Sequence, residues 1–334
     1  MSGSARSGSQ ARYTGSSSMD YTQFMAHTLT ALGFRLHAVW NAFDPPLDLE
    51  QGWPIKLPDV EFGSDTLLLL HFQDIVTPTD RGIEELLRVE KHYGDRANRV
   101  LITHYNHRLD RYYRGPLHLI EFNNHDYQIV LNLKQRQQEW MPWMAQADRG
   151  WQCLNGRQCD HRRRAVDMLR NTSGGILSWG NDIPLPQWAY ATYRGTENED
   201  NFIRLRDVYG RSAINIVTET QYDRAPGVVC EKTYLALLAQ QVPIVIGYPG
   251  IVADCESMGL DMFRDLVDTS YDTLPNDQRV EQAILRNWDL ITGHRDLGPY
   301  QARLQSQQQW LLDQWPQKLR DDFAAAARQL AQTI

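Results

Sequence analysis

Four short apolar runs constrain this chain more than any other feature. They are Leu67-Leu68-Leu69-Leu70, Val100-Leu101-Ile102, Ile214-Asn215-Ile216-Val217 and Val242-Pro243-Ile244-Val245-Ile246. A strand with one wet face alternates apolar and polar residues. Runs that scarcely alternate must be covered on both faces, as in a parallel sheet wrapped by helices. Segments of helical spacing lie between them, among them "TDRGIEELLRVEKHYGD", with its acidic first turn, and "DHRRRAVDMLRN". Buried strand followed by helix, repeated, predicts a doubly wound α/β architecture.

In the first half, "FRLHAVWNA", "DTLLLLHFQD", "NRVLITHYNH", "LHLIEFNNH" and "YQIVLNL" read as strands, preceded by a helix from Tyr21 to Gly33. In the second half the strands are "GWQCLN", "GGILSWG", "AINIVTET" and "VPIVI". "NDQRVEQAILRNWDLI" reads as one amphipathic helix. The polar, Trp-bearing stretch "KQRQQEWMPWMAQADRG" separates the halves. The expected division is 19–145 for an N-terminal and 146–298 for a C-terminal Rossmann-like domain, facing each other across a cleft, then C-terminal helices over 299–334. Residues 1–18 are Ser/Gly/Arg-rich without an apolar core. They read as a disordered leader or an expression scar rather than a signal peptide, with Met19 as the natural start.

Bulk charge excludes some functions. At a net charge of −7, the chain does not coat nucleic acid through overall positive potential, which leaves room only for a local basic cleft. No apolar run approaches the roughly 20 residues of a membrane span, so no membrane partner is expected. Cys153, Cys159, Cys230 and Cys255 are scattered and form no Cys-x-x-Cys, which reads as reduced thiols in a cytoplasmic protein with no metal site. Neither Gly-x-x-x-x-Gly-Lys-Ser/Thr nor Gly-x-Gly-x-x-Gly occurs, against a kinase or a dehydrogenase.

Doubly wound sheets carry their sites beyond the carboxyl ends of the strands. In the first half those positions hold His71 and Asp74, then His104 and His107. In the second half a polar cluster, Glu219 to Tyr222, ends one strand. Glu231 and Lys232 open the helix that follows, where free N–H groups favour an anion. A lysine there suits a diphosphate, and a neighbouring glutamate suits a pair of ribose hydroxyls. Another helix opens with Asp160, His161, Arg162, Arg163 and Arg164. Three arginines in a first turn oppose the helix dipole unless an anion lies in front of them. Gly247 and Gly250 are expected to let backbone approach a ligand.

The stretch "TETQYDRAPGVVCEKTYLALLAQQVPIVIGYPG" resembles the donor-binding motif of α1,3-fucosyltransferase-like glycosyltransferases: a strand-end Glu, a Gly-bearing loop, Glu-Lys, a helix, then Val/Ile-Pro-Ile and Gly. "LNGRQCDHR" resembles that family's strand, Asn turn and helix arginine. A group of bacteriophage proteins read as glycosyltransferases has a similar Leu-Asn…His-Arg segment and Glu-Lys-Thr. The resemblance spans Trp151 to about Asp272, and the loop ahead of Glu231 is longer here and carries Arg224. It implies a GT-B arrangement, an inverting, metal-independent transfer without cofactor, and a UDP- or GDP-linked nucleotide sugar as co-substrate. Arg162 and Lys232 would meet the donor diphosphate. Glu231 would hold ribose or sugar, and Glu219 and Tyr222 would line the donor pocket. The base would come from the N-terminal domain, with Asp74 and His71 as the catalytic choices.

Two acceptor classes follow. One is a saccharide or protein glycan. The other is a 5-hydroxymethylated pyrimidine in phage DNA, which a duplex presents only after base flipping. "HRLDRYYRG" offers His107, Arg111 and Arg114 for the acceptor. A different class of function is a non-catalytic nucleotide-sugar-binding module, which would not need this set of charges.

Overall fold

The unbroken leucines of residues 67–70 are explained by two covered sheet faces. In the computed structural model Leu68 and Leu70 join one apolar cluster with Leu86, Val89, Val100 and Ile102. Leu67 and Leu69 face the other way, into the main core with Met25, Leu29 and Leu101. The period of two along a strand does this, and each face needs its own apolar cover. The structure describes residues 18–39, 57–71, 80–104, 113–144, 149–156, 158–180, 182–186, 198–223, 227–294 and 296–334.

The first unit comprises α1 (Ser18–Ala31), β1 (Arg35–Val39), β2 (Thr66–His71), α2 (Asp80–Tyr93), β3 (Val100–His104), β4 (His118–Glu121) and α3 (Asn124–Gln135). Its four strands are parallel in the order β1-β2-β3-β4. The second unit comprises β5 (Arg149–Asn155), α4 (Asp160–Leu169), β6 (Gly175–Trp179), α5 (Asn198–Arg204), α6 (Arg206–Arg211), β7 (Ser212–Thr218), α7 (Glu231–Leu238), β8 (Val242–Ile246), α8 (Ile251–Ser257), α9 (Asn276–Arg286) and α10 (Trp288–Ile291). Its sheet is also parallel, in the order β6-β5-β7-β8. The chain leaves β5 towards β6, then returns past β5 to β7. That reversal opens a crevice between the carboxyl ends of β5 and β7. Among the described residues no helix is long and apolar enough to cross a membrane.

Two helices complete the chain, α11 (Gln301–Asp313) and α12 (Trp315–Thr333). Pro316 sits in the first turn of α12, where its missing N–H costs nothing. Neither helix stands apart. α11 packs on α7 and α3, and α12 returns to α1, β4 and α3 of the first unit. Phe323 meets Phe24 and Phe122 edge-on, with ring centroids 5.8 and 5.9 Å away. Arg320 donates to the Tyr127 hydroxyl at 2.6 Å.

Two expectations need correction. "YQIVLNL" is no strand but the body of α3. Asn123 caps that helix by accepting the Asp126 N–H at 3.1 Å, and Tyr127, Val130 and Leu133 recur at helical spacing on its buried side. The helix "NDQRVEQAILRNWDLI" breaks at Asn287 into α9 and α10. There the Asn287 amide donates to Ala283 O and Asp268 O and accepts the Asp268 N–H, tying the break to a neighbouring loop.

Candidate functional site

The floor of the β5/β7 crevice is a hydrogen bond between the two strand ends. The Thr218 hydroxyl donates to Asn155 Oδ1 at 2.5 Å, and the Asn155 amide turns its other side to Cys153 Sγ at 3.2 Å. Both residues are buried. Two helices start above this floor, α4 and α7. Each has a cysteine as N-cap, Cys159 and Cys230, and neither cysteine side chain caps its helix. All four cysteines are free. The first-turn N–H groups must therefore find partners elsewhere.

At α7, Glu219 holds the N-cap residue's N–H and a first-turn hydroxyl rather than a first-turn N–H. It follows β7 directly and is 0 % exposed. Its Oε2 accepts the Cys230 N–H at 3.2 Å and its Oε1 accepts the Thr233 hydroxyl at 2.6 Å. Glu219 thus tethers the start of the helix through both carboxylate oxygens. Burial raises its carboxyl above the usual range, while Lys232, Cys230 and Thr233 pull it back.

The Glu231–Lys232 pair stands at the mouth of α7, joined at 2.8 Å, with the ammonium also 3.2 Å from Cys230 Sγ. The side chains keep 17 % and 29 % of their surface open. Burial acts to lower the Lys232 ammonium, but Cys230, Glu231 and Glu219 outweigh it and the net shift is upward. Burial pushes the Cys230 thiol well up and keeps it neutral. Glu231 is therefore the partner that matters, and Lys232 is positively charged at every working pH.

Of the three arginines opening α4, only Arg162 turns inward, 3 % exposed. Its charge falls on Cys153 and His161. Arg163 is exposed, 3.7 Å from Asp160, and Arg164 is exposed towards the carbonyls of Asn276 and Asp277. Arg162 is thus the one arginine of the three that is buried beside the crevice.

Tyr222 is also turned inward. Its ring stacks on His161 at 4.5 Å and 5°, with the Arg279 guanidinium 4.4 Å away on the ring face. Its hydroxyl donates to Asn276 O, and His161 Nε2 is 2.9 Å from Glu219 O. Burial lowers the His161 imidazole, so the ring is neutral near pH 7. Arg279 is 0 % exposed and donates to Gly247 O at 2.9 Å, Leu274 O at 2.7 Å, Tyr222 O at 2.5 Å and Asn276 Oδ1 at 2.8 Å. This stack joins the loops that follow β7 and β8 to the start of α9.

Gly247 leaves room for its neighbours Ile251 and Glu219. A Cβ there would sit 2.6 Å from Ile251 Cδ1 and 3.1 Å from Glu219 Cβ. Gly250 is the N-cap of α8 in the left-handed region, φ 89°, where glycine carries no strain.

From the first unit, α3 brings its first turn to the mouth of α7. Asp126 lies there, 2 % exposed. The Asn123 amide donates to its Oδ2 at 2.7 Å, and no described residue hydrogen-bonds its Oδ1. Burial and then Glu231 raise its carboxyl well above the usual range; Glu219 adds to this, against Asn123 and Lys232. In the sequence Asp126 falls between two stretches that read as strands, 117–125 and 127–133, and so draws no role. The signal was Asn123-x-x-Asp126 ahead of an apolar run, a capping box with Asp in place of Glu.

Of the first-unit residues expected at the site, His71 closes β2 and His104 closes β3, the latter buried. The His71 side chain, with Asp74, His107 and Arg111, lies outside the described residues. Arg114 is exposed beside the buried Tyr113. The structure therefore brings together Arg162, Glu219, Tyr222, Glu231 and Lys232 at one crevice, with Arg162, Glu219 and Tyr222 buried and Glu231 and Lys232 partly open. No family model, curated protein or solved structure matches this chain.

Proposed function

We propose that the protein is a GT-B-type glycosyltransferase that moves a sugar from a UDP- or GDP-linked donor to an acceptor hydroxyl, with inversion and without a metal. One observation carries this reading. Lys232 and the buried Arg162 lie in the first turns of the two helices that start at the crevice where the second parallel sheet reverses its strand order. A diphosphate is the anion that such a place accommodates, through helix N–H groups and cationic side chains together. In the reaction the acceptor oxygen bonds to the anomeric carbon as the bond from that carbon to phosphate oxygen breaks. The electron pair leaves on the diphosphate, which Lys232 and Arg162 stabilise. The hydroxyl proton passes to a base of the first unit, for which Asp74 and His71 are the residues. Glu231, beside Lys232, receives donor hydroxyls.

The test is a thermal-shift panel of UDP- and GDP-sugars on the wild type and on Lys232→Ala. One donor class is expected to raise Tm in the wild type. The variant loses about 2–4 kcal/mol of diphosphate interaction, so transfer falls roughly thirty- to thousandfold. Its unliganded Tm drops by only a few degrees, because the Glu231 partner is partly exposed. Stabilisation by no nucleotide sugar, or undiminished turnover in Lys232→Ala, sinks the reading.

For the acceptor, we propose a hydroxymethylated pyrimidine in DNA, set against a saccharide by label transfer to each. With DNA, binding weakens steeply with salt, and Arg111→Ala and Arg114→Ala reduce it without changing donor hydrolysis. Incorporation into a saccharide alone rejects DNA.

A further inference from the structure

Three carboxyl groups surround one ammonium at the junction of α3 and α7. Glu219 is fully occupied by the Cys230 N–H and the Thr233 hydroxyl. Glu231 is paired with Lys232. Asp126 has neither arrangement. Asn123 holds one of its oxygens, and the other is buried with no hydrogen-bond partner among the described residues. An isolated carboxylate in such a place is costly, and the group keeps its proton instead.

The groups around it can be named element by element. α7 faces it with Glu231, Lys232 and Tyr234, and the end of β7 with Glu219. Three charged groups of the other helices packed on α3 have these partners. Asp200 meets Arg136, Asp313 meets Lys134, and Arg320 meets Tyr127. Lys232 is the one cation among the principal charges that act on Asp126. If Asp126 ionises, a diphosphate arriving at Lys232 would meet another negative charge at the same helix mouth.

We propose that Asp126 is a member of the anion site, and that the site takes up its diphosphate diester together with one proton held on the Asp126 carboxyl. This rests on the reading of the crevice as a nucleotide-sugar site. The balance is simple: above the pH at which free Asp126 ionises, the complex forms from ionised protein, ligand dianion and one proton from solvent. Linkage makes the effect reciprocal. The bound anion holds the proton on Asp126, and loss of the proton weakens the anion.

The experiment is titration calorimetry with UDP-glucose and with GDP-mannose, whose diphosphates do not titrate in the window from about pH 5.5 to about pH 8.5. Two buffers of different ionisation enthalpy count the protons exchanged on binding. For the wild type, uptake rises towards one proton at the alkaline end, and affinity falls by up to about tenfold per pH unit there. Asp126→Asn, which keeps shape and removes the charge, takes up no proton and binds at least tenfold more tightly than wild type at the alkaline end. The wild-type proton count needs no variant, so a poorly folding Asp126→Asn leaves the test standing. Binding without proton uptake overturns this inference alone. Uptake that persists in Asp126→Asn overturns it too, and moves the proton to Glu219 or Glu231. Binding of neither compound at millimolar concentration takes down the nucleotide-sugar reading and this inference with it.

Discussion

Arg279→Ala is expected to be the most damaging single substitution near the crevice, although no ligand need touch this residue. The guanidinium is fully buried and, among the described residues, hydrogen-bonds no carboxylate; it is held by three carbonyls and one side-chain amide oxygen. Truncation leaves the Gly247, Leu274 and Tyr222 carbonyls without that donor and removes the face-on contact with Tyr222. A hydrogen bond to a charged group contributes about 1.5–3 kcal/mol, so three give roughly 4.5–9 kcal/mol gross. The wild type bears several kcal/mol for desolvating the guanidinium, which the variant recovers. The net loss is on the order of 3–5 kcal/mol, a large fraction of a typical folding free energy. Arg279→Lys is expected to lose about 2–3 kcal/mol, because an ammonium on a flexible stem does not reproduce the planar fork. Urea unfolding with a constant m-value measures both. A shift within about 0.5 kcal/mol for Arg279→Ala would refute the claim that this residue joins the loops after β7 and β8 to α9.

Three further outcomes are expected. Gly247→Ala forces a methyl against Ile251 and Glu219 and costs about 1–3 kcal/mol, read as a lower urea midpoint; an unchanged midpoint would show that the loop yields freely. Glu219 and Asp126 are both raised on folding, so their contribution is full below the unfolded carboxylate range and declines as pH rises through the folded values. Glu219→Gln keeps both partners, since the Thr233 hydroxyl also accepts. Its stability is therefore expected to fall less than that of wild type from about pH 4 upward, and an equally steep decline in the variant contradicts the assignment. Chelation by EDTA leaves sugar transfer unchanged if Arg162 and Lys232 carry the leaving-group charge; loss of activity restored by Mg²⁺ rejects that account.

Strands were easy to read because burial on both faces leaves no polar residue to interrupt the run, as at Leu67–Leu70 and Val242–Ile246. The convergence of Arg162, Glu219, Glu231 and Lys232 was legible for a related reason. Strand ends and helix starts in a parallel sheet share one edge, so their residues gather there whatever their separation in the chain. Which way each side chain turns was not legible. Glu219, Tyr222 and Gly247 looked like pocket lining, yet their partners Thr233, His161, Arg279 and Ile251 come from different elements. Asp126 escaped notice for a further reason: its significance lies in facing Glu231 across the two units, which no local pattern records.

The return of α12 to the first unit also sets a timetable. The bond from Arg320 to Tyr127 spans 193 residues. At about 5–20 residues per second, a ribosome needs roughly 10–40 s to travel that distance. Throughout that interval Phe24 and Phe122 lack the ring of Phe323 that later covers them. The first unit is therefore a nascent structure with one aromatic patch uncovered, and a chaperone has tens of seconds in which to guard it.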